Sequence, residues 1–232
     1  MDKTVTRRAS ARRMPTEAAH CADASSLYAV GGARKYLNAE ERSRVLTAVE
    51  ELPRDQALFV LTLGWSGART SEALALTPSS FQIARGVVAI HTLKRRRHAM
   101  REVPLPPGLI AALGAHFGLA ETQRDPCAAG RRLWPWCRQT AWRIVKRVMT
   151  QAGISGRAAS PRGLRHAFGI ATLQASVPLN LVSRWMGHSR LSTTAIYTAA
   201  SGPEELAFAA RFWQSGEAGV TPEPCSGGGA PW

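Results

Sequence analysis

Met186-Gly-His-Ser-Arg-Leu-Ser-Thr-Thr-Ala-Ile-Tyr197 is the most informative segment of this sequence. A helical pattern over residues 179–186 leads into it, and His188 and Tyr197 lie nine residues apart. Considered alone, His188 is compatible with a helix cap and Tyr197 with a packed core aromatic. The meaning of the segment therefore depends on the polar groups that accompany it elsewhere in the chain.

Three further segments place reactive polar side chains among apolar neighbours. They read Gly67-Ala-Arg-Thr-Ser-Glu-Ala-Leu, Lys94-Arg-Arg-Arg, and Arg162-Gly-Leu-Arg-His-Ala-Phe-Gly. Each is short enough to occur by chance. Their joint presence, in this order and ahead of His188 and Tyr197, is much more specific.

Hydrophobic periodicity predicts a mainly α fold with one small antiparallel β-sheet. Asn38 and Glu41 resemble a capping box at the start of the first helix. Two strand-like runs, 87–93 and 101–105, flank the basic segment 94–100 and predict a hairpin with a cationic tip. Further helical patterns cover residues 55–65, 71–76, 107–117, 140–151, 162–174, 179–186 and 203–213.

Together the four segments resemble the tyrosine recombinase, or phage integrase, family over residues 37–213. The resemblance implies an α+β catalytic domain that cuts and rejoins DNA through a tyrosine. Position by position, it implies that Arg69 and Arg165 are the two boxed arginines, Lys94 the hairpin lysine, His188 the histidine of the third box and Tyr197 the nucleophile. Glu72 matches an acidic position that supports the site.

These residue types suit the chemistry. Two guanidinium groups can bind the nonbridging oxygens of a phosphodiester bidentately, as Arg69 and Arg165 would. A phenol with an ordinary pKa of about 10 is protonated at neutral pH, so we expect the cationic pocket to ease loss of the Tyr197 proton. Lys94 is the candidate acid for the leaving 5′ oxygen. The implied product is a 3′-phosphotyrosyl link, formed without metal or cofactor.

Arg162 departs from the family pattern, which has histidine there. Arginine donates hydrogen bonds but keeps its proton, so it cannot act as a general base. We expect Arg162 to be a third phosphate clamp; an inactive descendant is the alternative. His166, packed among apolar helix residues, is interpreted as structural.

Charge indicates a polyanionic partner. The chain carries 30 Lys and Arg against 16 Asp and Glu, a net charge of +14, and residues 124–165 alone contain ten basic side chains. Double-stranded DNA is the expected partner. The candidate DNA-binding residues are Arg95, Arg96, Arg97, Arg101, Arg143, Lys146 and Arg147.

Segment composition predicts four regions: a flexible basic N-terminal arm over residues 1–36, a catalytic domain over 37–200, a C-terminal helix over 201–214 and a disordered Gly- and Pro-rich tail over 215–232. The arm is too short for the N-terminal DNA clamp that typical family members carry. We therefore expect that the basic arm itself reaches round the duplex, that a partner supplies the clamp, or that the chain is a shortened copy in a mobile element. By resemblance, a homo-oligomer on DNA, tetrameric when two sites pair, is also expected.

Other classes fit less well. No apolar run could cross a membrane, and four dispersed Cys indicate neither a disulfide framework nor a thiolate metal site, so we expect a cytoplasmic protein. The resemblance implies a bacterial, nucleoid-associated protein of a mobile element. Two alternatives stay open: a relaxing enzyme like type IB topoisomerases, and a noncatalytic DNA-binding regulator with the same fold.

Overall fold

The computed structural model describes residues 26–92, 99–199, 205–206 and 209–210. It confirms a mainly α domain with a small antiparallel sheet. The helices and strands in chain order are α1 (Ala39–Ala48), α2 (Arg54–Ser66), α3 (Thr70–Ala73), β1 (Phe81–Gln82), β2 (Val87–Thr92), β3 (Ala99–Pro104), α4 (Pro107–Phe117), α5 (Leu119–Thr122), α6 (Pro126–Ala129), α7 (Arg138–Gln151), α8 (Pro161–Gln174), α9 (Leu179–Met186) and α10 (Ser192–Ala195).

Helix α2 forms the centre of the larger hydrophobic core. Leu58, Phe59 and Leu63 are at most 2% exposed, and the helix packs against α4 and α8. It ends at Gly67, whose φ of 59° is left-handed, and a Cβ there would overlap the ring of Phe168. Glycine is therefore required at this turn, which directs the chain towards Arg69.

The sheet has the strand order β1-β2-β3, with both pairs antiparallel. In the β2–β3 hairpin Val87 pairs with Pro104 and Thr92 with Ala99. The two predicted strands are found, whereas β1 was not expected because its two residues are too few to show periodicity. The hairpin tip, residues 93–98, lies outside the described residues.

The prediction of a flexible arm is wrong for residues 27–36. Leu27 and Tyr36 are 2% and 0% exposed and join Phe168 and Tyr197 in a second hydrophobic cluster. The apolar side chains in this segment give it surface to bury, so folded structure begins about ten residues earlier than predicted. Within the described ranges, no helix is both long and apolar enough to span a membrane.

Both chain ends are described only in part. Residues 1–25 and 211–232, which include the predicted disordered tail, lie outside the described residues. Of the predicted C-terminal helix, the structure describes Glu205, Leu206, Ala209 and Ala210, all helical.

Candidate active site

Arg165 lies where three elements meet. Ser160 caps α8 by accepting a hydrogen bond from the Gly163 amide at 3.1 Å, and Arg165 follows on the buried face of the helix. Its guanidinium donates to the carbonyl oxygens of Gly67 and Met186, the ends of α2 and α9. Burial, and after it the charge of Arg69, lower the pKa of Arg165 to about 10, which still leaves the group charged at neutral pH.

Glu72 holds the arginine box in place. It is 1% exposed, and its carboxylate accepts hydrogen bonds from the backbone amide and the Nη1 of Arg69, both at 2.9 Å. Burial opposes its ionisation, but the hydrogen bond and charge of Arg101 and the amide of Arg69 outweigh it, and the pKa of Glu72 is lowered. The side chain of Arg69, 28% exposed, therefore has a fixed direction and an open face.

The expectation that Arg101 binds DNA is wrong. Arg101 is 6% exposed, and it donates to Glu72 Oε2 at 2.7 Å, to Thr92 Oγ1 at 3.0 Å and to the Trp185 carbonyl at 2.7 Å. Its guanidinium is hydrogen-bonded within the fold, where it connects the hairpin and α9 to Glu72 beside Arg69. Charge alone could not reveal this, because the partner Glu72 is distant in sequence.

His188 is neutral and has a defined tautomer. Its Nε2 lies 3.1 Å from Arg165 Nη2, and a guanidinium can only donate, so Nε2 accepts. The proton is therefore on Nδ1, which donates to Thr194 Oγ1 at 2.8 Å. Burial and the charges of Arg165 and Arg69 lower the pKa of His188 to about 3.

Tyr197 lies beside these groups on the 3₁₀ turn that follows α10. Its ring stacks on His188 with centroids 6.2 Å apart, and the residue is 1% exposed. Burial raises its pKa to about 12, although the charges of Arg165, Arg69 and Arg162 act in the opposite direction. The cationic groups therefore favour loss of the Tyr197 proton as expected, but in the DNA-free protein desolvation of the phenolate outweighs them.

His166 is the residue that sequence interpretation missed. Its Nδ1 lies 3.2 Å from the Tyr197 hydroxyl. Burial, followed by the charges of Arg162, Arg165 and Lys35, lowers its pKa to about 4. The only signal in the sequence was its position directly after Arg165, which does not show that a tyrosine 31 residues later would reach it.

The structure thus brings Arg69, Glu72, Arg165, His188 and Tyr197 together. Arg162 is exposed one turn before Arg165 on α8. Lys94, Arg95, Arg96 and Arg97 lie outside the described residues. A cleft lined by Thr92, Met100, Ser183 and His188 connects the base of the hairpin to the site.

The DNA-binding candidates on α7 differ from one another. Arg143 and Arg147 are exposed four residues apart on one helix face, and Arg147 reaches Gln56 Oε1 at 3.3 Å. Lys146 is half-buried, and its ammonium donates to the Ala159 carbonyl at 3.0 Å, just before α8. Arg143 and Arg147 therefore stay candidates for DNA contact, whereas Lys146 supports the loop that leads into the site.

Chemically, this arrangement surrounds a phenol with guanidinium groups and neutral imidazoles. Among the described side chains, no group of three or more His, Cys, Asp or Glu could hold a metal ion.

The sequence profile of the phage integrase family matches residues 35–203. This chain belongs to that family. The resemblance seen in the four sequence segments is confirmed.

Relatives within the family include tyrosine recombinases. The chain is 30% identical over 167 residues to tyrosine recombinase XerA of Thermococcus kodakarensis, covering 71% of this chain and 57% of the relative. It is 34% identical over 151 residues to XerD of Vibrio vulnificus, covering 62% and 48%. The chain thus spans about half the length of these curated relatives.

Solved structures of recombinases and integrases share the fold. XerA recombinase superposes with a TM-score of 0.63 at 21% identity, covering 78% of this chain and 64% of that protein. The catalytic domain of bacteriophage HP1 integrase gives a TM-score of 0.54 at 22% identity, covering 76% and 94%. These likenesses confirm the expected fold class.

Proposed function

We propose that this integrase-family chain is a site-specific recombinase that cleaves and rejoins DNA strands. The observation that carries the proposal is the convergence of Arg69, Arg165 and His188 on the hydroxyl-bearing side chain of Tyr197. Charge-bearing donors fixed before reaction stabilise a phosphorane-like transition state more effectively than mobile ones, because they need no reorganisation. The Glu72 and backbone contacts provide that fixing.

In the proposed reaction the Tyr197 oxygen attacks the scissile phosphorus and the 5′ oxygen of the DNA leaves. A 3′-phosphotyrosyl bond replaces the phosphodiester, so rejoining needs no external energy source. Arg69 and Arg165 bind the nonbridging oxygens, and the His188 Nε2 acceptor orients the Arg165 fork. Lys94 protonates the leaving oxygen, and Arg162 contributes a further phosphate contact.

The DNA partner is supported by charge and by the family. XerH recombinase, which shares the fold at 23% identity and a TM-score of 0.61, has been solved bound to its difH substrate. For this chain we place duplex DNA along the face that carries Arg69, Arg162 and the hairpin, with Arg143 and Arg147 contacting backbone phosphates. Multimers on paired sites, and a partner that clamps the far side of the duplex, belong to the same proposal.

The test is covalent trapping on a pool of nicked duplexes with randomised sequence. A nick just downstream of the cleavage site lets the short fragment with the new 5′ hydroxyl diffuse away, so the rest of the cleaved strand stays attached to the protein through denaturation. The proposal expects an SDS-resistant adduct, formed in EDTA, that disappears in Tyr197→Phe while DNA binding persists. An enzyme that attaches to every sequence equally would instead be a relaxing enzyme, and binding without any adduct would indicate a regulator.

A further inference from the structure

The Tyr197 hydroxyl has a hydrogen-bond partner to which the sequence pattern assigns no role. His166 Nδ1 lies 3.2 Å from the phenolic oxygen, and the two ring centroids are 5.7 Å apart at an angle of 59°. The contact joins α8 to the turn that carries Tyr197. It is formed where water is largely excluded, since Tyr197 is 1% exposed.

The other neighbours of Tyr197 cannot take up its proton. The guanidinium groups of Arg162, Arg165 and Arg69 offer no lone pair. His188 stacks on the ring, but its Nε2 accepts from Arg165 and its Nδ1 donates to Thr194, so both nitrogens are engaged. Among the side chains described around the phenol, His166 is the one whose ring nitrogen lies within hydrogen-bond distance of the oxygen and can offer it a lone pair, in the tautomer protonated on Nε2.

The protonation states of both groups allow the phenol to donate to His166. Around His166 stand Arg162 and Arg165 from its own helix, Lys35 from the segment before α1, and Tyr197 and His188 from the segment after α9. The three cations and burial hold the pKa of His166 at about 4, and the pKa of Tyr197 is about 12. At neutral pH both groups are uncharged, and in the tautomer that carries its proton on Nε2 the phenol donates and Nδ1 accepts. A phosphate bound between the arginines offsets the cationic field and makes this nitrogen a stronger acceptor.

We infer that His166 is the general base of the strand-cleavage step, accepting the Tyr197 proton on Nδ1. This inference rests on the proposed strand-transfer function. As the phenolic oxygen forms its bond to phosphorus, its proton moves to His166, giving an imidazolium. The bond from phosphorus to the 5′ oxygen breaks, and that oxygen takes a proton from the acid, assigned to Lys94. In rejoining, the 5′ hydroxyl returns its proton to Lys94 as its oxygen displaces Tyr197 from phosphorus, and the phenolate recovers its proton from His166.

With His166 as the general base, a histidine at position 162 is not needed for this step. A base on the same face of α8, four residues later, serves the same oxygen. Arg162 is then free to act as a cation towards the phosphate, and its charge keeps His166 neutral until the phosphate arrives.

The experiment uses the full chain and the duplex recovered by trapping with the unaltered protein. His166→Asn retains an amide that can hydrogen-bond to the phenol but cannot be protonated, and His116→Asn, at an exposed position on α4, is the matched control. We expect single-turnover adduct formation to fall about 100-fold or more in His166→Asn, with DNA affinity unchanged, and to be unaltered in His116→Asn.

A second variant separates a base from a packing residue. His166→Gly should regain adduct formation when imidazole is added, and substituted imidazoles of higher pKa should restore the rate more strongly. Tyr197→Phe should gain nothing. Adduct formation by His166→Asn within threefold of the unaltered rate would overturn the assignment, as would a His166→Gly variant that binds DNA, is slow and ignores every imidazole. Failure of the unaltered chain to form any adduct would instead refute the proposed function.

Discussion

Gly169 offers a direct way to move the Tyr197 ring. It lies on α8 beneath that ring, and a Cβ at position 169 would be 2.6 Å from Cε2 and 2.8 Å from Cδ2 and Cζ. Carbon atoms of packed side chains attract best at about 3.5–4.0 Å, so in Gly169→Ala the ring has to retreat by roughly 1 Å. The retreat would carry the phenolic oxygen away from His166 and from the arginine pocket.

Two effects follow, one on stability and one on rate. Overpacking should lower the free energy of unfolding by about 1–3 kcal/mol, whereas the better helix propensity of alanine should raise it by about 0.5–1 kcal/mol. The melting temperature should therefore fall, by about 2–4 °C for each kcal/mol of net loss in a chain of this size. Displacing a reacting atom by 1 Å is expected to slow adduct formation on the order of 100-fold.

The matched control is Gly114→Ala. Gly114 is also inside a helix, α4, and its Cβ would meet nothing within 4 Å. That variant should be stabilised by about 0.5–1 kcal/mol and form the adduct at the unaltered rate. Thermal unfolding followed by circular dichroism and single-turnover trapping would measure both. If Gly169→Ala melts and reacts as the unaltered chain does, the tyrosine is not packed where the structure has it.

Three other substitutions or conditions test the remaining features of the site. Arg165→Lys keeps the charge but loses the fork that binds two carbonyls and His188, so trapping should slow about 100-fold or more, and a smaller loss would count against a bidentate phosphate clamp. Arg101→Met removes the buried partner of the Glu72 carboxylate, which then keeps only the contacts of Arg69, and should lower the free energy of urea unfolding by about 3–5 kcal/mol. Arg85→Met, which breaks an exposed pair beside the same sheet, should cost far less. His166 and His188 have pKa values of about 4 and about 3 in the folded chain, below their ordinary 6.5, so the unfolded chain takes up their protons first on acidification. The free energy of unfolding should therefore be at its full value above about pH 6.5 and fall towards pH 4. His188→Asn should make that fall shallower.

Much of the fold could be predicted because local signals determine it. The bounds of α4 and α9 agree with the hydrophobic periodicity, and Asn38 and Glu41 form the expected capping box, with the Glu41 amide donating to Asn38 Oδ1 at 2.7 Å. Residues 27–36 were misjudged because their burial depends on a pocket made by α8 and Tyr197, which no local pattern reveals.

The site residues that belong to sequence motifs could be predicted, whereas the contacts between them could not. Arg69, Arg165, His188 and Tyr197 come together as their spacing within the family pattern implied. The contacts that determine the protonation states of these side chains could not be predicted from the sequence, because each joins residues that are far apart along the chain. His166 meets Tyr197 across 31 residues, and Arg101 meets Glu72 across 29, so the first was overlooked as a base and the second was mistaken for a DNA ligand.

The central claim is that the phenolic oxygen of Tyr197 becomes bonded to DNA phosphorus. Peptide mapping by mass spectrometry of the trapped adduct, after nuclease and protease digestion, tests it most directly. We predict a nucleotide mass on the peptide that contains Tyr197, linked to a 3′ phosphate, with a free 5′ hydroxyl on the released strand. The nucleotide on any other side chain, or a phosphate left on the 5′ end, would contradict the account.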